Sequence, residues 1–266
     1  MEIKTRQVSQ RKKEVADPQE VAMSTKEDIP SSLNYYEITD FPSKKLPYKD
    51  LFLEIRPYTW AEQKALASMS SARDMIKVVG NGVRSNIPIQ DLTDGDFLWV
   101  ALLRKLYSFP GAKFSGTGTC RNCKEKITKS LSFTDIEFEE IQVDALPVKI
   151  KGADKDIEMY PITVGNLLRL MDENNGKIDE VSYVASCISG VPFSVALDIV
   201  NNADAELGSI FESVVSKFRH NFKPIRFVCP SCGKVTEISL DPHGREVVLA
   251  PFHGEENISR YTVSFG

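Results

Sequence analysis

Two cysteine motifs, Thr119-Cys120-Arg121-Asn122-Cys123 and Val228-Cys229-Pro230-Ser231-Cys232-Gly233, decide the predicted fold of this chain. Residues 124–228 lie between the two cysteine pairs. In each motif two residues stand between the cysteines, and four thiolates from two such knuckles can hold one tetrahedral zinc ion. Pro230 fixes a backbone dihedral and Gly233 permits the positive φ that turns backbone amides toward sulfur, so the second motif is the stronger signal. The predicted metal ligands are Cys120, Cys123, Cys229 and Cys232.

Short strands are predicted on both sides of the cysteine pairs. Apolar residues alternate in residues 126–133 after the first pair, in residues 225–227 before the second, and in residues 235–240 after it. Knuckles between short strands are typical of a zinc ribbon, so we expect the zinc to be structural. Two reduced dithiols, or a disulfide-bonded secreted domain, remain alternative interpretations of the same cysteines.

The composition of the 266 residues is ordinary, with 42% hydrophobic and 26% charged residues and a formal net charge of −4. That balance predicts no basic stripe for nucleic acid. No apolar run approaches the ~20 residues of a membrane span, and the start of the chain lacks the apolar core of a signal peptide. We therefore expect a protein made in a reducing cytosol, which favours metal over disulfides. The fifth cysteine, Cys187, is expected to be a small buried hydrophobe in a helix.

Composition and pattern divide the chain into six segments. Residues 1–30 are polar, mixed in charge and free of aromatic residues, so we expect them to become ordered by lying on a partner. The predicted segments are an extended arm at 1–40, an N-terminal strand and helical lobe at 41–110, the first zinc knuckle with its strands at 111–158, a second helical lobe at 159–222, the second zinc knuckle with its strands at 223–250, and a C-terminal tail at 251–266.

Capping residues and periodicity locate the elements of the two lobes. The predicted helix N-caps are Thr59, Thr93 and Thr163, the first two followed three residues later by an acidic residue. Further helices are predicted near residues 178–189, 193–202 and 204–219, and strands at residues 51–56, 148–150 and 157–160. Residues 34–48, rich in aromatic residues and proline, are predicted to be extended. The aromatic residues expected in the core are Trp60, Phe97, Trp99 and Phe109.

The two halves of the chain share an order of short motifs. Residues 54–59 and 158–163 both contain Glu, Pro and Thr at the same spacing, a Leu-Pro pair precedes each, and a Cys-x-x-Cys motif follows each. We therefore predict an internal duplication, although strand-to-capped-helix junctions also look alike in unrelated proteins. The predicted fold is α+β: internally duplicated strand–helix units joined by a zinc-ribbon-like β module, with extended N- and C-terminal arms.

The sequence contains no recognisable catalytic set, so we do not expect an enzyme. His220, His243 and His253 form no metalloprotease motif, and His243 is expected in a turn rather than at a metal. The glycines of residues 116–118 lack the lysine and helix of a phosphate loop and are expected to be a flexible approach to the first knuckle. The acidic cluster expected to lie at a solvated strand end comprises Glu137, Glu139 and Glu140.

The chain resembles the baseplate hub subunit family of T-even-like contractile-tailed phages. The features that carry the resemblance, across roughly residues 40–245, are Phe41-Pro42-Ser43-Lys44-Lys45-Leu46-Pro47-Tyr48, the strand 53–57 with the Thr59 helix, the first Cys-x-x-Cys with residues 131–136, Leu146-Pro147, the Pro161-x-Thr163 helix and the closing Cys-x-x-Cys. The resemblance implies a non-enzymatic structural subunit of the virion tail baseplate, assembled in the host cytoplasm. It implies several copies in a symmetric assembly, bound to other baseplate and tail proteins through the N-terminal arm and the C-terminal tail, and no partner in nucleic acid or membrane.

A zinc-ribbon adaptor in transcription or RNA processing is the alternative function. It needs basic residues clustered on the ribbon, and the candidates are Lys124, Lys126, Lys129, Arg226 and Lys234, offset by the acidic residues at 137–140. At the C-terminus Tyr261, Val263 and Phe265 alternate with period two. This pattern predicts a terminal strand that joins either its own sheet or the edge of a neighbour's.

Overall fold

The computed structural model describes residues 34–69, 71–151, 156–173, 178–219, 222–240, 248 and 262–264. Residues 1–33 of the arm predicted at 1–40, the three histidines and most of the predicted C-terminal tail lie outside these residues. The elements, in chain order, are β1 (Tyr36–Glu37), β2 (Leu53–Ile55), α1 (Trp60–Ser68), α2 (Ala72–Gly80), β3 (Val83–Ser85), α3 (Asp94–Ser108), β4 (Lys113–Thr119), β5 (Lys126–Ser132), β6 (Val148–Ile150), β7 (Ile157–Met159), α4 (Val164–Glu173), α5 (Glu180–Cys187), α6 (Phe193–Asn201), α7 (Ala205–Phe218), β8 (Ile225–Val228), β9 (Val235–Ile238) and β10 (Thr262–Ser264).

The described part of the chain is a mixed α and β fold with seven α-helices and small sheets that are antiparallel except at β10. The first lobe packs a three-stranded sheet, in the order β1-β2-β3, against α3. Leu53 and Ile55 of β2 and Val100 and Leu102 of α3 are fully buried there. The strand predicted at residues 51–56 is confirmed, and its in–out–in burial follows the two-residue period of a strand.

Helix capping in the first lobe follows the sequence signals. Thr59 accepts the backbone N–H of Glu62, and the Glu62 carboxylate accepts the N–H of Thr59, which confirms the capping box. Thr93 caps α3 by accepting the N–H of Asp96. Trp60, at the first position of α1, is 73% exposed, so its expected place in the core is wrong.

A buried charge cluster lies beneath α1, and the sequence analysis did not predict it. Both Arg56 guanidinium nitrogens bind the Glu62 carboxylate, at 2.8 and 2.7 Å, and the fully buried Arg104 donates to the same carboxylate at 3.0 Å. Arg104 also donates to the carbonyls of Arg56, Val78 and Val79. The two guanidinium groups share a single carboxylate, so the cluster keeps one net positive charge, and burial lowers the pKa of Arg104. The carbonyls of Arg56, Val78 and Val79 solvate this charge, and the cluster joins α1, α2 and α3.

Residues 41–48 form a series of tight turns, so the prediction of an extended segment is wrong for this stretch. Three backbone bonds span three residues each, beginning with Lys44 N–H to Phe41 O at 2.8 Å. The carboxylate of Asp96 holds these turns against α3, because it accepts the N–H of Ser43 at 3.0 Å and the hydroxyl of Tyr48 at 2.6 Å. Proline content signals a departure from helix but does not distinguish turns from extended chain.

The second lobe pairs the hairpin β6–β7 with the helices α4 to α7. Its helices confirm the prediction of helices near residues 178–189, 193–202 and 204–219. A separate hydrophobic core fills this lobe around Met159, Leu170 and Phe211. Two reciprocal backbone bonds connect it to the first lobe, from Asp94 N–H to Ile162 O at 3.2 Å and from Val164 N–H to Leu92 O at 2.9 Å.

Two β-hairpins, β4–β5 and β8–β9, form the third part of the fold. We name them the first and second hairpin. Gly116 and Gly118 lie within β4, so the expectation of a flexible approach is wrong. A Cβ on Gly118 would stand 3.2 Å from Ile238 of β9, which shows that these glycines allow the second hairpin to approach the first closely. β10 pairs in parallel with β4, so the terminal strand joins its own sheet.

No helix within the described residues combines the length and the apolar character needed to cross a membrane.

Candidate metal centre

The four predicted ligand sulfurs converge at the tips of the two hairpins. The Sγ atoms of Cys120 and Cys232 are 3.8 Å apart, those of Cys123 and Cys229 are 3.7 Å apart, and all four lie within 4.8 Å of one another. Zinc–sulfur bonds of about 2.3 Å in a regular tetrahedron place neighbouring sulfurs about 3.8 Å apart. The four thiols therefore fit a single tetrahedral ion, and each hairpin contributes two of them.

The two knuckles have the same backbone geometry. In the first, Cys120 N–H donates to Glu125 O at 2.9 Å and Lys124 N–H donates to Cys120 O at 2.9 Å. In the second, Cys229 N–H donates to Lys234 O at 2.8 Å and Gly233 N–H donates to Cys229 O at 2.9 Å. Because the two loops have equivalent hydrogen bonds, the backbone holds both cysteine pairs in the same conformation.

A left-handed residue closes each knuckle. Gly233 has φ 69°, which confirms the reason for which the sequence analysis selected it. Lys124 occupies the equivalent place in the first knuckle with φ 62°. A lysine pays a steric penalty in this conformation that glycine avoids. The first knuckle thus holds its geometry at some cost in local energy.

The sulfurs face a small apolar cluster on one side and solvent on the other. Cys120 and Cys229 are 1% and 0% exposed and pack with Ile127 and Phe227. Cys123 is exposed, and Cys232 is half-buried. The protein therefore covers one side of the site and leaves the knuckle edge accessible for metal entry.

Backbone amides favour the thiolate form of two of the cysteines. The N–H groups of Cys123 and Asn122 lower the pKa of Cys120 to about 6. The N–H of Lys234 is the main cause of the lowered pKa of Cys232. Since a thiolate is the metal-binding form of cysteine, these amides prepare one sulfur from each knuckle for coordination.

The pKa of the Cys123 thiol shifts in the opposite direction, to about 12. The N–H of Glu125 lowers it, but desolvation and the neighbouring thiols of Cys120, Cys232 and Cys229 together raise it further. Four thiols this close cannot all ionise without a cation between them, because each thiolate repels the next. A divalent ion removes that repulsion, so the donor set itself fits a metal of this charge.

Polar contacts between the knuckles lie around the sulfurs. Lys234 Nζ donates to Asn122 Oδ1 at 3.0 Å, and Arg121 pairs with Glu237 at 2.8 Å. Both contacts run from one hairpin to the other. They link the two loops beside the sulfurs, and exposed ion pairs of this kind contribute little to stability by themselves.

The remaining candidate residues do not converge on the sulfurs within the described part of the chain. Cys187 is buried at the end of α5, as expected, and burial raises the pKa of its thiol to about 12. Glu137 pairs with Lys223 at 3.0 Å and Glu140 with Lys44 at 3.5 Å, which fits the expected solvated strand end. His220, His243 and His253 lie outside the described residues.

Comparisons with protein-family models, with curated proteins and with solved structures found no match to this chain. The assignment of a function therefore depends on the chemistry and the geometry of the site.

Proposed function

We propose that the four cysteines hold one structural zinc ion and that this zinc clamps the two hairpins together in a non-enzymatic scaffold. The convergence of four sulfurs from two motifs that residues 124–228 separate is the observation that carries the proposal. Cys120, Cys123, Cys229 and Cys232 fill all four positions of a tetrahedral ion. Such a site supplies structural stability and leaves no coordination position for a reacting water.

The clamp acts at the two ends of the second lobe. The second lobe, which has its own core, follows the first hairpin in the chain, and the second hairpin comes after the second lobe. The second hairpin packs against the first. A metal bound by the cysteines of both hairpins would close the segment between them into a loop. Closing a loop stabilises the folded state because the unfolded chain loses conformational freedom.

We propose further that the two halves arose by internal duplication. The equivalent hydrogen bonds of the two knuckles and their equivalent left-handed residues support this, as do the capped helices α1 and α4 that begin after the matching Pro-x-Thr motifs. The halves differ in size, since three helices precede the first knuckle and four precede the second. The matching pieces are therefore the strand–cap junction and the knuckle, with the helices between them free to diverge.

The biological role that we propose is a structural subunit of a contractile phage tail baseplate, in its hub region. The support is the motif resemblance given above, from the Phe41–Tyr48 segment to the closing cysteine pair, together with a metal-clamped scaffold. We propose that the subunit is assembled in the host cytoplasm, stays in the virion in several copies, and contacts other tail proteins through its N-terminal arm and C-terminal tail.

The test combines metal analysis with assembly. Purified protein should contain one zinc per chain by elemental analysis, and Cys123→Ser and Cys232→Ser should each abolish it. Ser231→Ala, in the same knuckle but without a sulfur, is the matched control and should retain the metal. In infected cells the intact protein should co-migrate with assembled tails. A protein with four freely reactive thiols in its native state would contradict the clamp, and a metal-loaded protein that never accompanies tails would contradict the baseplate role alone.

One observation favours the alternative function of a zinc-ribbon adaptor. The two hairpins carry seven basic residues, Lys113, Arg121, Lys124, Lys126, Lys129, Arg226 and Lys234, against Glu125 and Glu237, in a chain whose formal net charge is −4. A basic module can bind phosphates. Filter binding at low salt separates the two functions, because salt-sensitive micromolar binding of nucleic acid would favour the adaptor over the baseplate subunit.

A further inference from the structure

The C-terminal strand β10 pairs in parallel with β4 along one edge of the first hairpin. The pairing covers three residues, with Thr262–Ser264 of β10 opposite residues 115–117 of β4. On its other side β4 pairs with β5 over seven residues, in antiparallel fashion. Parallel pairing is slightly less stable per residue than antiparallel pairing, so β10 is held to β4 less firmly than β5 is.

The edge of β4 that β10 covers lacks protection of its own. Residues 115–117 include no proline and no charged side chain, which are two of the devices that protect an open sheet edge. Gly116 and Thr117 are buried in the folded chain. Without a strand beside it, this edge would expose unpaired backbone N–H and C=O groups, so the fold needs a strand here, from whichever copy supplies it.

Before β10 the chain is fixed to the core of the first lobe at Val248. Val248 is buried, and its carbonyl accepts a hydrogen bond from Lys105 Nζ at 3.0 Å. The same Nζ lies 4.7 Å from the centroid of the Phe133 ring, which packs against the ring of Phe114 at a centroid distance of 5.1 Å. Phe114 immediately precedes Ser115, where the pairing with β10 begins. The anchor at Val248 and the start of β10 therefore both lie at the base of β4.

The segment between this anchor and β10 is longer than the distance that it has to cover. The path through these contacts, from Val248 to the start of β10, measures at most about 25 Å. The 13 residues 249–261 can span about 40 Å when extended. With Val248 held at its anchor, β10 can therefore reach the β4 edge of an adjacent copy whose first hairpin lies beside that of its own chain.

We infer that, where copies of this chain are crowded together, β10 of one copy pairs with the β4 edge of a second copy. The edge receives the same sequence in the same register from either copy, so the exchange replaces each contact with an identical one. The balance between the two arrangements then depends chiefly on concentration. A strand on a short linker acts at an effective concentration on the order of mM, so dilute chains use their own β10 and crowded chains exchange it.

This inference rests on the proposed assembly in several copies, which supplies the crowding, and it names a surface that the C-terminal tail binds there. It does not depend on the zinc clamp.

The test is disulfide trapping between two full-length variants, Thr262→Cys and Ser115→Cys. These positions lie opposite each other in the register, so a disulfide joins them where β10 lies on β4. The first variant keeps Ser115 and the second keeps Thr262, so a disulfide between positions 262 and 115 in their mixture must join two copies.

An equimolar mixture is oxidised briefly with diamide, and the disulfides are mapped by mass spectrometry of peptides. At about 1 mM total chain, about a quarter of the Ser115→Cys edges should hold the foreign strand, and at about 10 µM fewer than about one in a hundred. Ser130→Cys replaces Ser115→Cys in the matched control. Ser130 pairs with Ser115 from β5, one strand further from β10, at about 10 Å and beyond the reach of a disulfide.

A double variant with both substitutions in one chain checks the premise. At about 10 µM it should form the disulfide within the chain, and its failure to do so would overturn the inference, because β10 would then not lie on β4.

If the double variant forms its disulfide but the concentrated mixture yields no more than the Ser130→Cys control, strand exchange is overturned. Slow release would not explain that result, since a terminal strand of three residues opens by local fraying. The proposed function fails separately: metal analysis of the same samples tests the clamp, and strand exchange in a protein that never accompanies tails would contradict the baseplate role alone.

Discussion

If the proposed zinc holds the two hairpins together, its removal should free them while the second lobe stays folded. The perturbation that isolates this effect is Cys123→Ser, because Cys123 is exposed and its replacement opens no cavity in the core. The second lobe has a core of its own around Met159, Leu170 and Phe211, and none of these residues packs with the sulfurs. The loss of the metal therefore acts on the hairpins first.

The expected magnitude follows from the loop that the clamp closes. A cross-link across a loop of about 100 residues stabilises a fold by about 4.7 kcal/mol in the chain-entropy treatment. The proposed clamp would join Cys123 to Cys229, so its loop is of this size. This figure applies to a fully flexible loop, so it is an upper limit while the second lobe stays folded within the loop. Since every 1.4 kcal/mol is a factor of ten, opening of the second hairpin should become more frequent without the metal by at most about a thousandfold.

Hydrogen exchange measured by mass spectrometry gives the readout. Amides of β8 and β9, including Cys229 N–H on Lys234 O, should lose protection in Cys123→Ser, whereas amides of α5 and α7 should keep it. Ser231→Ala should behave as the wild type. If the helices of the second lobe lose protection together with the hairpins, or if the hairpins keep theirs, the clamp reasoning is refuted.

Three further perturbations test the energetics. Lys124→Gly should raise the free energy of unfolding by about 1 kcal/mol, since glycine relieves the left-handed strain at φ 62°; an unchanged denaturation midpoint would contradict the equivalence of the knuckles. Gly82→Ala should lower the free energy of unfolding by at least about 3 kcal/mol, because its Cβ would clash with the buried Arg104 guanidinium, at 2.1 Å from a terminal nitrogen. A variant that melts at the wild-type temperature would contradict this packing. Burial lowers the pKa of Lys105 to about 7. Above pH 7 the Lys105 amine is therefore protonated in the unfolded chain but not in the folded one. The free energy of unfolding should then rise from pH 7 to 8.5, by up to about 1.4 kcal/mol per pH unit, and fall as the pH drops toward 7. Urea titrations should show this slope for the wild type and a flatter one for Lys105→Met; equal slopes would refute it.

Local chemistry made the elements of the lobes predictable. Thr59 and Thr93 cap helices because each side-chain oxygen accepts a backbone N–H of the first helical turn that has no partner within the helix. This bond does not depend on where the helix lies in the fold. The strands β6 and β7 and the knuckle hairpins appear where residues alternate or where paired cysteines enclose a tight loop. These signals involve neighbours within a few residues, so a linear pattern contains them.

The two segments whose structure was predicted incorrectly, residues 41–48 and 116–118, are both held by residues that are distant in sequence. Residues 41–48 fold into turns because Asp96 accepts the Ser43 N–H and the Tyr48 hydroxyl. Gly116 lies in a strand because it pairs with β5, and a Cβ there would stand 2.6 Å from Leu131 and 3.6 Å from Ile238. None of these partners is a close neighbour in sequence, so composition alone suggested an extended segment and a flexible loop.

Spacing and residue type specify the knuckles and the capped helices, because the hydrogen bonds of these elements close within a single turn or loop. The paired motifs also predicted that the four sulfurs converge, and the structure brings them within 4.8 Å of one another. The shared binding of the Glu62 carboxylate by Arg56 and Arg104 becomes visible only in the folded chain. The folded chain also leaves Trp60 and the pair Val228 and Val235 exposed to solvent. These features arise where segments remote in the chain pack together, and the burial and charge of a side chain there depend on all of its neighbours in space.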